Sequence, residues 1–262
     1  SAAVKGNNDM VALIANAIRD RERPLREDLS IGFGLVRLRI TVAESRQIVR
    51  EARRRYRRHN AARSYVENEF FAALARSHSS EPDPENVQYR LRRDPKISEA
   101  LERMWPVLTP AQLLRDLFGS KALLASASTG LLSEDKWSTL FRPRGDSVSD
   151  YRWSDADVPL LDEAYAGLGP RLDRQRKPRD PEVRTFGHIV IDETQDHTPM
   201  ALRMIARRSL NGSMTLVGDI AQATAPGAAA NWEEVLTHLP SGSNEPRVRE
   251  LTLSYRIPAP NL

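Results

Sequence analysis

The sequence predicts an α/β protein in which a mostly helical part, residues 1–150, precedes a part built on a parallel sheet, residues 151–262. In the first part, apolar residues recur mainly at helical spacing, and only one stretch alternates as a strand does. In the second part, two short apolar runs flank one helical segment, and both runs end in acidic residues. Strand, helix and strand within about thirty residues are typical of a right-handed crossover between parallel strands.

Composition excludes several classes of protein. The chain has 262 residues, of which 40% are apolar and 28% charged, as in ordinary globular proteins. The sequence contains no cysteine, which rules out disulfides, thiolate zinc sites, iron–sulfur clusters and cysteine nucleophiles. No apolar run is long enough to span a membrane, and no leader-like segment opens the chain, so we expect a cytoplasmic protein without a membrane partner.

Charge is spread unevenly between the two parts. Residues 1–150 carry 26 basic and 20 acidic side chains, and residues 151–262 carry 13 and 15. The parts therefore have net charges of +6 and −2, which agree with the total of +4. The difference indicates two parts with different roles.

Periodicity predicts one strand region and several helices in the first part. Residues 31–42 alternate apolar and charged side chains, which predicts a half-buried strand in a small antiparallel hairpin. Prolines and serines at 78–86 predict a loop, and 142–150 is a turn-rich break. The predicted helices are 7–19, 43–59, 61–76, 85–92, 96–105, 110–118 and 120–126.

Five arginines crowd residues 53–58, near the end of the predicted helix 43–59. Cations are favoured at a helix C-terminus, so a solvated helix end is the simpler interpretation. A contact surface for nucleic acid or an acidic protein is the alternative. Aromatic residues are sparse there, which does not favour a stacking platform for single strands.

The informative region begins at the apolar run 188–191, which predicts a strand covered on both faces of a parallel sheet. Thr198 can cap the following helix, with Pro199 at its first position, and Gly212 ends the segment. A second strand is predicted at 214–217.

Acidic residues follow both predicted strands, so they should meet at the carboxyl edge of the sheet, where ligands bind. Asp192 and Glu193 follow the first strand, and Asp219 follows the second. One carboxylate of such a pair can hold the magnesium of a nucleotide, and the other can orient the attacking water. Gln222 is placed to sense a terminal phosphate.

Three motifs in order carry a resemblance to a known family. "HIVIDETQD" (188–196) resembles the Walker B motif of superfamily 1 helicases of the UvrD, PcrA and Rep group. "LVGDIAQA" (216–223) resembles their motif III, and "LTLSYRIP" (251–258) resembles their motif IV. The resemblance implies a partial RecA-like sheet of the P-loop NTPase type, with ATP and Mg²⁺ as cofactors.

The same resemblance implies a role for each matching residue. Asp192 would coordinate magnesium and Glu193 would activate water, so that Glu193 and Arg256 are the catalytic residues. Arg256 would stabilise charge in the transition state. Gln195 and Asp196 would link the nucleotide to motif III, and Asp219 and Gln222 would lie near the γ-phosphate. Loop capping is the alternative for Asp196 and Asp219, and a surface ion pair is the alternative for Arg256.

Two features depart from the helicase pattern. The sequence contains no G-x-x-x-x-G-K-[ST] loop to cradle phosphates, and no motif V or VI, so we expect a fragment that hydrolyses ATP only within a longer protein. After Gln222, residues 223–230 contain no aromatic side chain that could stack on a base. Trp232 is expected to pack the helix 231–239 onto the sheet.

Further stretches resemble the HelD family, UvrD-like ATPases that bind bacterial RNA polymerase, and its rifamycin-linked relative HelR. These are "WSDADVPLLDEA" (153–164), "SLNGSMTLVGDIAQAT" (209–224) and "LERMWPVLTPAQLLRDLFGS" (101–120). The resemblance implies that residues 1–150 are a helical insertion that opens the polymerase clamp, and that 151–262 are the second half of motor domain 1A.

The function implied is remodelling or recycling of RNA polymerase core, with displacement of nucleic acid and of rifamycin. The alternatives are a DNA-repair helicase moving on single-stranded DNA, and an interaction module in which the motor motifs only hold the fold. The arginine-rich stretch 167–187 is either an exposed linker, the simpler interpretation, or a loop that enters the polymerase channel.

Overall fold

The computed structural model describes residues 2–144, 151–172, 177–180, 183–223, 231–239 and 246–250. These residues form an α/β structure that is mostly helical and contains two small sheets, one antiparallel and one parallel. Within the described ranges, no helix has both the length and the apolar character needed to cross a bilayer.

The region before residue 145 is helical, as predicted, with shifts of a few residues at several helix ends. Thr41 and Thr109 form capping boxes with Glu44 and Gln112, which fixes where two of the helices begin. The helices are α1 (Ala2–Gly6), α2 (Asp9–Arg19), α3 (Val42–Arg55), α4 (Arg63–Arg76), α5 (Pro84–Leu91), α6 (Pro95–Met104), α7 (Pro110–Phe118), α8 (Lys121–Ser128) and α9 (Glu134–Ser138). The sequence prediction missed α1 and α9, which are short.

The prediction of one strand over 31–42 is wrong, although the antiparallel hairpin is confirmed. Strand β1 (Leu29–Phe33) pairs with β2 (Val36–Ile40), and the turn falls inside the predicted strand. Gly34 has φ +63° whereas Leu35 has no positive φ, which is the pattern of a type II′ turn. The residues on both sides of the turn are apolar, so the alternating pattern of the sequence continues through the turn and gives no sign of it.

The predicted helix 43–59 ends earlier, at Arg55, because the backbone turns to an extended conformation at Tyr56. Arg53 donates to Oε2 of Glu22 at 2.7 Å and to the carbonyl of Arg19 at 3.1 Å, at the end of α2. Arg53 therefore joins α3 to the end of α2, whereas Arg54 and Arg55 pair with Glu51 within α3. Whether this region also binds an acidic partner stays a prediction.

Two large apolar clusters hold the helices together. The first lies wholly within residues 25–105 and joins the β1–β2 hairpin to α3, α4, α5 and α6. The second combines α2, α7 and α8 with helix α10 (Val158–Leu168) and Met200, so it draws on both sides of residue 150. The division into domains at residue 150 stays a prediction, and the two sides share a core.

A buried ion pair fixes the N-terminal helix onto the second cluster. Lys5 and Asp157 are 1% and 0% exposed, and Nζ of Lys5 lies 2.5 Å from Oδ1 of Asp157. Arg142 and Ser154 also donate to this carboxylate, so its charge is fully compensated. Gly6, at the end of α1, lies so close to Thr198 that a Cβ at Gly6 would come within 2.6 Å of Cγ2 of Thr198.

The predicted strand–helix–strand unit is present, with a parallel register. Strand β3 (Ile189–Ile191) is followed by α11 (Pro199–Ala206) and by β4 (Met214–Leu216). Helix α12 (Trp232–Thr237) comes next, and Trp232 packs against the cluster formed by α11, α12 and the two strands, as predicted.

Burial of β3 on both faces is the part of the prediction that is wrong. Ile191 is buried in the cluster, whereas Val190 is 66% exposed. The reason is that α11 and α12 pack against the same face of the strand pair, the face of Ile189 and Ile191. An apolar run alone does not tell how many faces of a strand are covered.

Candidate functional site

The parallel register places the ends of β3 and β4 at one edge. Ile189 is opposite Met214 and Ile191 opposite Leu216, so both chains leave the sheet in the same direction. Two backbone bonds continue the pairing past the strands: Val217 N–H donates to the carbonyl of Ile191 at 2.8 Å, and Thr194 N–H donates to the carbonyl of Val217 at 3.0 Å. The loops that follow, 192–196 and 218–222, are therefore neighbours. We call the edge of the sheet formed by these two loops the acidic edge.

Asp192 and Glu193 are both exposed at the acidic edge. The backbone N–H of Glu193 donates to Oδ1 of Asp192 at 2.9 Å. Glu193 itself has φ 49° and ψ 45°, the left-handed region that a non-glycine residue rarely adopts. This conformation costs on the order of 1 kcal/mol, and such conformations occur in turns, as at Glu81, and cluster at active sites.

Gln195 joins the two loops. Its side chain is buried, with 2% of the residue exposed. Nε2 of Gln195 donates to Oε2 of Glu193 at 2.7 Å, and Oε1 accepts from the backbone N–H of Asp219 at 3.0 Å. Donor and acceptor of the amide are thus both used, and they couple the carboxylate of one loop to the backbone of the other.

A glycine makes this close approach possible. A Cβ at Gly218 would lie 2.9 Å from the backbone N of Thr194 and nearer still to Oε1 of Gln195. Thr194 is buried as well, and its hydroxyl donates to the carbonyl of Val217 at 2.9 Å. Sequence reasoning missed the roles of Gly218 and Thr194, although a small residue before Asp219 is a signal of close backbone approach.

Asp219 and Gln222 form a local unit at the end of the second loop. Oδ1 of Asp219 accepts from the backbone N–H of Ala221 at 3.0 Å, and Oδ2 accepts from Nε2 of Gln222 at 2.9 Å. The loop-capping alternative for Asp219 thus describes its hydrogen bonds. Both residues still lie beyond the strand ends, linked through Gln195 to Glu193.

Two predicted site residues remain, Asp196 and Arg256. Asp196 is exposed and closes the turn Thr194–Asp196, with its N–H donating to the carbonyl of Glu193 at 2.9 Å. Arg256 lies outside the described residues, together with the rest of the stretch that resembles motif IV. The acidic edge therefore brings together Glu193, Gln195, Asp219 and Gln222 by side-chain contacts, with Asp192 beside them.

The donor set of the acidic edge suits a metal that arrives with a nucleotide. Asp192 offers an exposed carboxylate, and only its Oδ1 accepts a hydrogen bond from the described residues. No group of three or more His, Cys, Asp or Glu that could cage a metal occurs in the part of the chain that the structure describes. Mg²⁺ is commonly held by one or two carboxylates together with phosphate oxygens and water. A single exposed aspartate fits that mode of binding.

An ion-pair network behind the edge holds α11 against α10. Glu163 accepts from Nε of Arg203 at 2.8 Å and from Nη1 of Arg207 at 2.7 Å, while Asp162 pairs with Arg207 and Arg208. Burial alone would raise the pKa of Glu163, but the hydrogen bonds from the two arginines outweigh it, so the pKa is lowered. Helix α11 follows the loop 192–196 directly. The network that holds α11 against α10 therefore also fixes the position of this loop relative to α10.

Contacts join two of the described parts of the stretch 167–187. Leu172 and Pro178 form a β-bridge, and the guanidinium of Arg171 lies 2.7 Å from Oδ1 of Asp180. The hydrogen bond from Arg171 lowers the pKa of Asp180. A linker and a loop that enters a partner's channel both remain open as interpretations.

Comparisons with known proteins complete the description of the site. No family model matches the chain, and none of the curated proteins compared with it is a significant match.

Proposed function

We propose that this chain supplies the metal-binding and water-activating half of an ATPase site, in a UvrD-like motor of the HelD type. The single observation that carries the proposal is the acidic edge. Two parallel strands deliver Asp192, Glu193 and Asp219 to one side of a sheet, and Gln195 joins the two loops through hydrogen bonds of 2.7 Å and 3.0 Å. In open α/β sheets this edge is where ligands bind.

Each residue has a role that its geometry permits. Asp192 would hold the Mg²⁺ of the nucleotide, which neutralises charge on the phosphates when bound. Glu193 lies at the exposed edge in a strained backbone conformation and would accept a proton from the attacking water. Gln222 lies beside Asp219 and would report on the terminal phosphate, while the buried Gln195 would link Glu193 to the loop of motif III.

Binding of the nucleotide's phosphates requires a second structural element, which the acidic edge does not supply. The sequence has no glycine-rich loop of the G-x-x-x-x-G-K-[ST] type, so nothing in it matches the usual cradle for the α- and β-phosphates. In the proposal, this loop belongs to the same protein outside the present sequence. A RecA-like sheet would then be completed by that segment, and Arg256 would stabilise charge in the transition state.

RNA polymerase core is the partner that the proposal assigns, with residues 1–150 as the helical insertion that opens its clamp. The motif resemblance is the support for this partner, and the helical structure described before residue 145 is compatible with it. Travel along single-stranded DNA is disfavoured because residues 223–230 carry no aromatic side chain. Remodelling or recycling of the polymerase, with release of nucleic acid or of rifamycin, is therefore preferred to DNA repair.

The test is ATP hydrolysis by the protein that joins these residues to a phosphate-binding loop. Glu193→Gln should lower kcat by about a hundredfold or more while ATP still binds, because only the proton acceptor is lost. Asp192→Ala should remove the dependence of ATP binding on Mg²⁺. A matched control is Glu134→Gln, at an exposed position in α9. Hydrolysis at the wild-type rate by Glu193→Gln would refute the proposed role of the acidic edge.

The partner is tested separately, by capture of purified core RNA polymerase and by binding of single-stranded DNA. Capture of the polymerase supports the HelD-type function. Tight, salt-resistant binding of DNA without capture would instead support the repair helicase. Full function of an Asp192→Ala protein would favour an interaction module in which the motor motifs only hold the fold.

A further inference from the structure

The β1–β2 hairpin has two outer edges with different surroundings. In a hairpin closed by a two-residue turn, the pair next to the turn, here Phe33 and Val36, exchanges backbone hydrogen bonds, and every second pair does so after it. The residues between those pairs direct their backbone N–H and C=O groups outward. On β1 these residues are Ser30 and Gly32, opposite Arg39 and Arg37.

The outer edge of β2 is occupied at Arg39, whose backbone N–H donates to Oγ of Ser77 at 2.9 Å. The guanidinium of Arg39 reaches across the hairpin and pairs with Asp28. The N–H of Arg39 is the group that the pairing pattern directs outward, so this bond also supports the assignment of the two edges. Ser77 follows α4, which packs against β2.

The outer edge of β1 is open. Ser30 and Gly32 are exposed, and no described residue forms a backbone hydrogen bond with their outward groups. Natural edge strands are usually protected by charged residues, proline or a bulge. The sequence of β1, LSIGF, contains no charged residue and no proline, and its pairing with β2 has no bulge. This edge lacks those protections.

Side chains on the exposed face of the hairpin indicate what would pair there. A Cβ at Gly32 would meet nothing within 4 Å, so the space above this residue is open. Directly across the strand, Arg37 is exposed and has no ion pair among the described residues. Because strands lie about 4.8 Å apart, an acidic side chain on a third strand could cross over Gly32 and reach Arg37.

The opposite face of β1 is apolar. Ile31 is buried in the first cluster, and Leu29 and Phe33 are half-buried against it. The guanidinium of Arg90 lies 4.4 Å from the ring centre of Phe33, so one cation borders this apolar face. A third strand would therefore extend an apolar surface on one face and meet Arg37 on the other.

We propose that the outer edge of β1 is a docking site for an extended segment of a partner protein in which acidic and apolar side chains alternate. The segment adds a third strand to the hairpin through the outward groups of Ser30 and Gly32. Its acidic side chains reach Arg37, and its apolar side chains continue the surface of Leu29, Ile31 and Phe33. A second copy of this chain is a poorer occupant, because β1 carries no acidic residue to pair with Arg37.

The site is tested with the full chain and two synthetic heptapeptides, in which valine alternates with glutamate or with lysine. Binding is measured by fluorescence anisotropy of labelled peptide and located by amide chemical shifts of the isotope-labelled chain. The glutamate peptide should shift the amide signals of Ser30 and Gly32 and bind about tenfold or more tightly than the lysine peptide. Equal binding of the two peptides, or shifts located elsewhere, would overturn the proposal.

Two variants and a matched control separate backbone docking from charge. Gly32→Pro removes the outward N–H but no bond to β2, so it should weaken the glutamate peptide by about tenfold while the hairpin remains folded. Gly32→Ala is its matched control and should bind like the wild type. Arg37→Glu should reverse the preference toward the lysine peptide. Unchanged affinity in Gly32→Pro, or dimerisation of the free chain that Gly32→Pro abolishes, would contradict a partner segment at this edge.

Discussion

The side-chain oxygen of Gln195 accepts a hydrogen bond from the backbone N–H of Asp219 at 3.0 Å, across the two loops that leave the parallel strands. The nitrogen of the same amide donates to Glu193 at 2.7 Å. One buried amide therefore sets the distance between an exposed glutamate and the neighbouring loop. A carboxylate or an apolar side chain cannot make both bonds.

Two substitutions of Gln195 should differ in their dependence on pH. Gln195→Leu loses both hydrogen bonds and should lower the free energy of unfolding by about 1–2 kcal/mol at every pH. Gln195→Glu keeps the acceptor for Asp219 but places a second carboxylate against Glu193. Its destabilisation should be larger at neutral pH and shrink in acid, because protonation removes the repulsion. Urea unfolding at several pH values measures both, and parallel pH profiles for the two variants would contradict the contact.

Gly218 should not tolerate even one methyl group. In Gly218→Ala the new Cβ would lie 2.9 Å from the backbone N of Thr194, so the two loops must separate. Overpacking of this kind typically costs about 1–3 kcal/mol, and the unfolding midpoint should fall accordingly. Gly187→Ala is the matched control, since a Cβ at Gly187 meets nothing within 4 Å. Equal stability of the two variants would mean that the loops are not in close contact.

Local signals explain why much of the helical structure and the crossover could be predicted. Thr109 with Pro110, and Thr198 with Pro199, are strong helix starts, and both helices begin there. Acidic residues directly after two apolar runs placed the candidate site at one edge, and the parallel register of β3 and β4 has that geometry. These features depend on residues close together in the sequence.

The features that sequence reasoning missed depend on contacts between distant residues or on backbone conformation. Lys5 and Asp157 are 152 positions apart, and neither side chain signals that the other will be buried beside it. The left-handed conformation of Glu193 has no local cue, since glutamate is not a residue that favours it. The turn at Gly34 was hidden because an apolar pattern runs through it.

The buried pair of Lys5 and Asp157 should make the N-terminal helix important for stability. Lys5→Met removes the cation but leaves the carboxylate of Asp157, which is 0% exposed. Breaking a buried pair in this way costs about 3 kcal/mol, and here Arg142 and Ser154 continue to compensate part of the charge. Thermal and urea unfolding measure the loss. Lys136→Met, at an exposed position, should change stability by less than about 0.5 kcal/mol.

The ion-pair network of Glu163 should contribute stability that depends on pH. The hydrogen bonds from Arg203 and Arg207 hold the pKa of Glu163 below its ordinary value despite its burial. A carboxyl group with a lowered pKa in the folded state stabilises the protein above its unfolded-state pKa, and the contribution is lost as the pH falls through the folded-state pKa. Glu163→Gln should therefore be less stable than the wild type above about pH 5, with a difference that narrows in more acidic solution.

Urea unfolding of both proteins between neutral and acidic pH measures this difference, with exposed Glu134→Gln as the control. A gap that stays constant as the pH falls would mean that the two arginines do not stabilise the ionised form of Glu163.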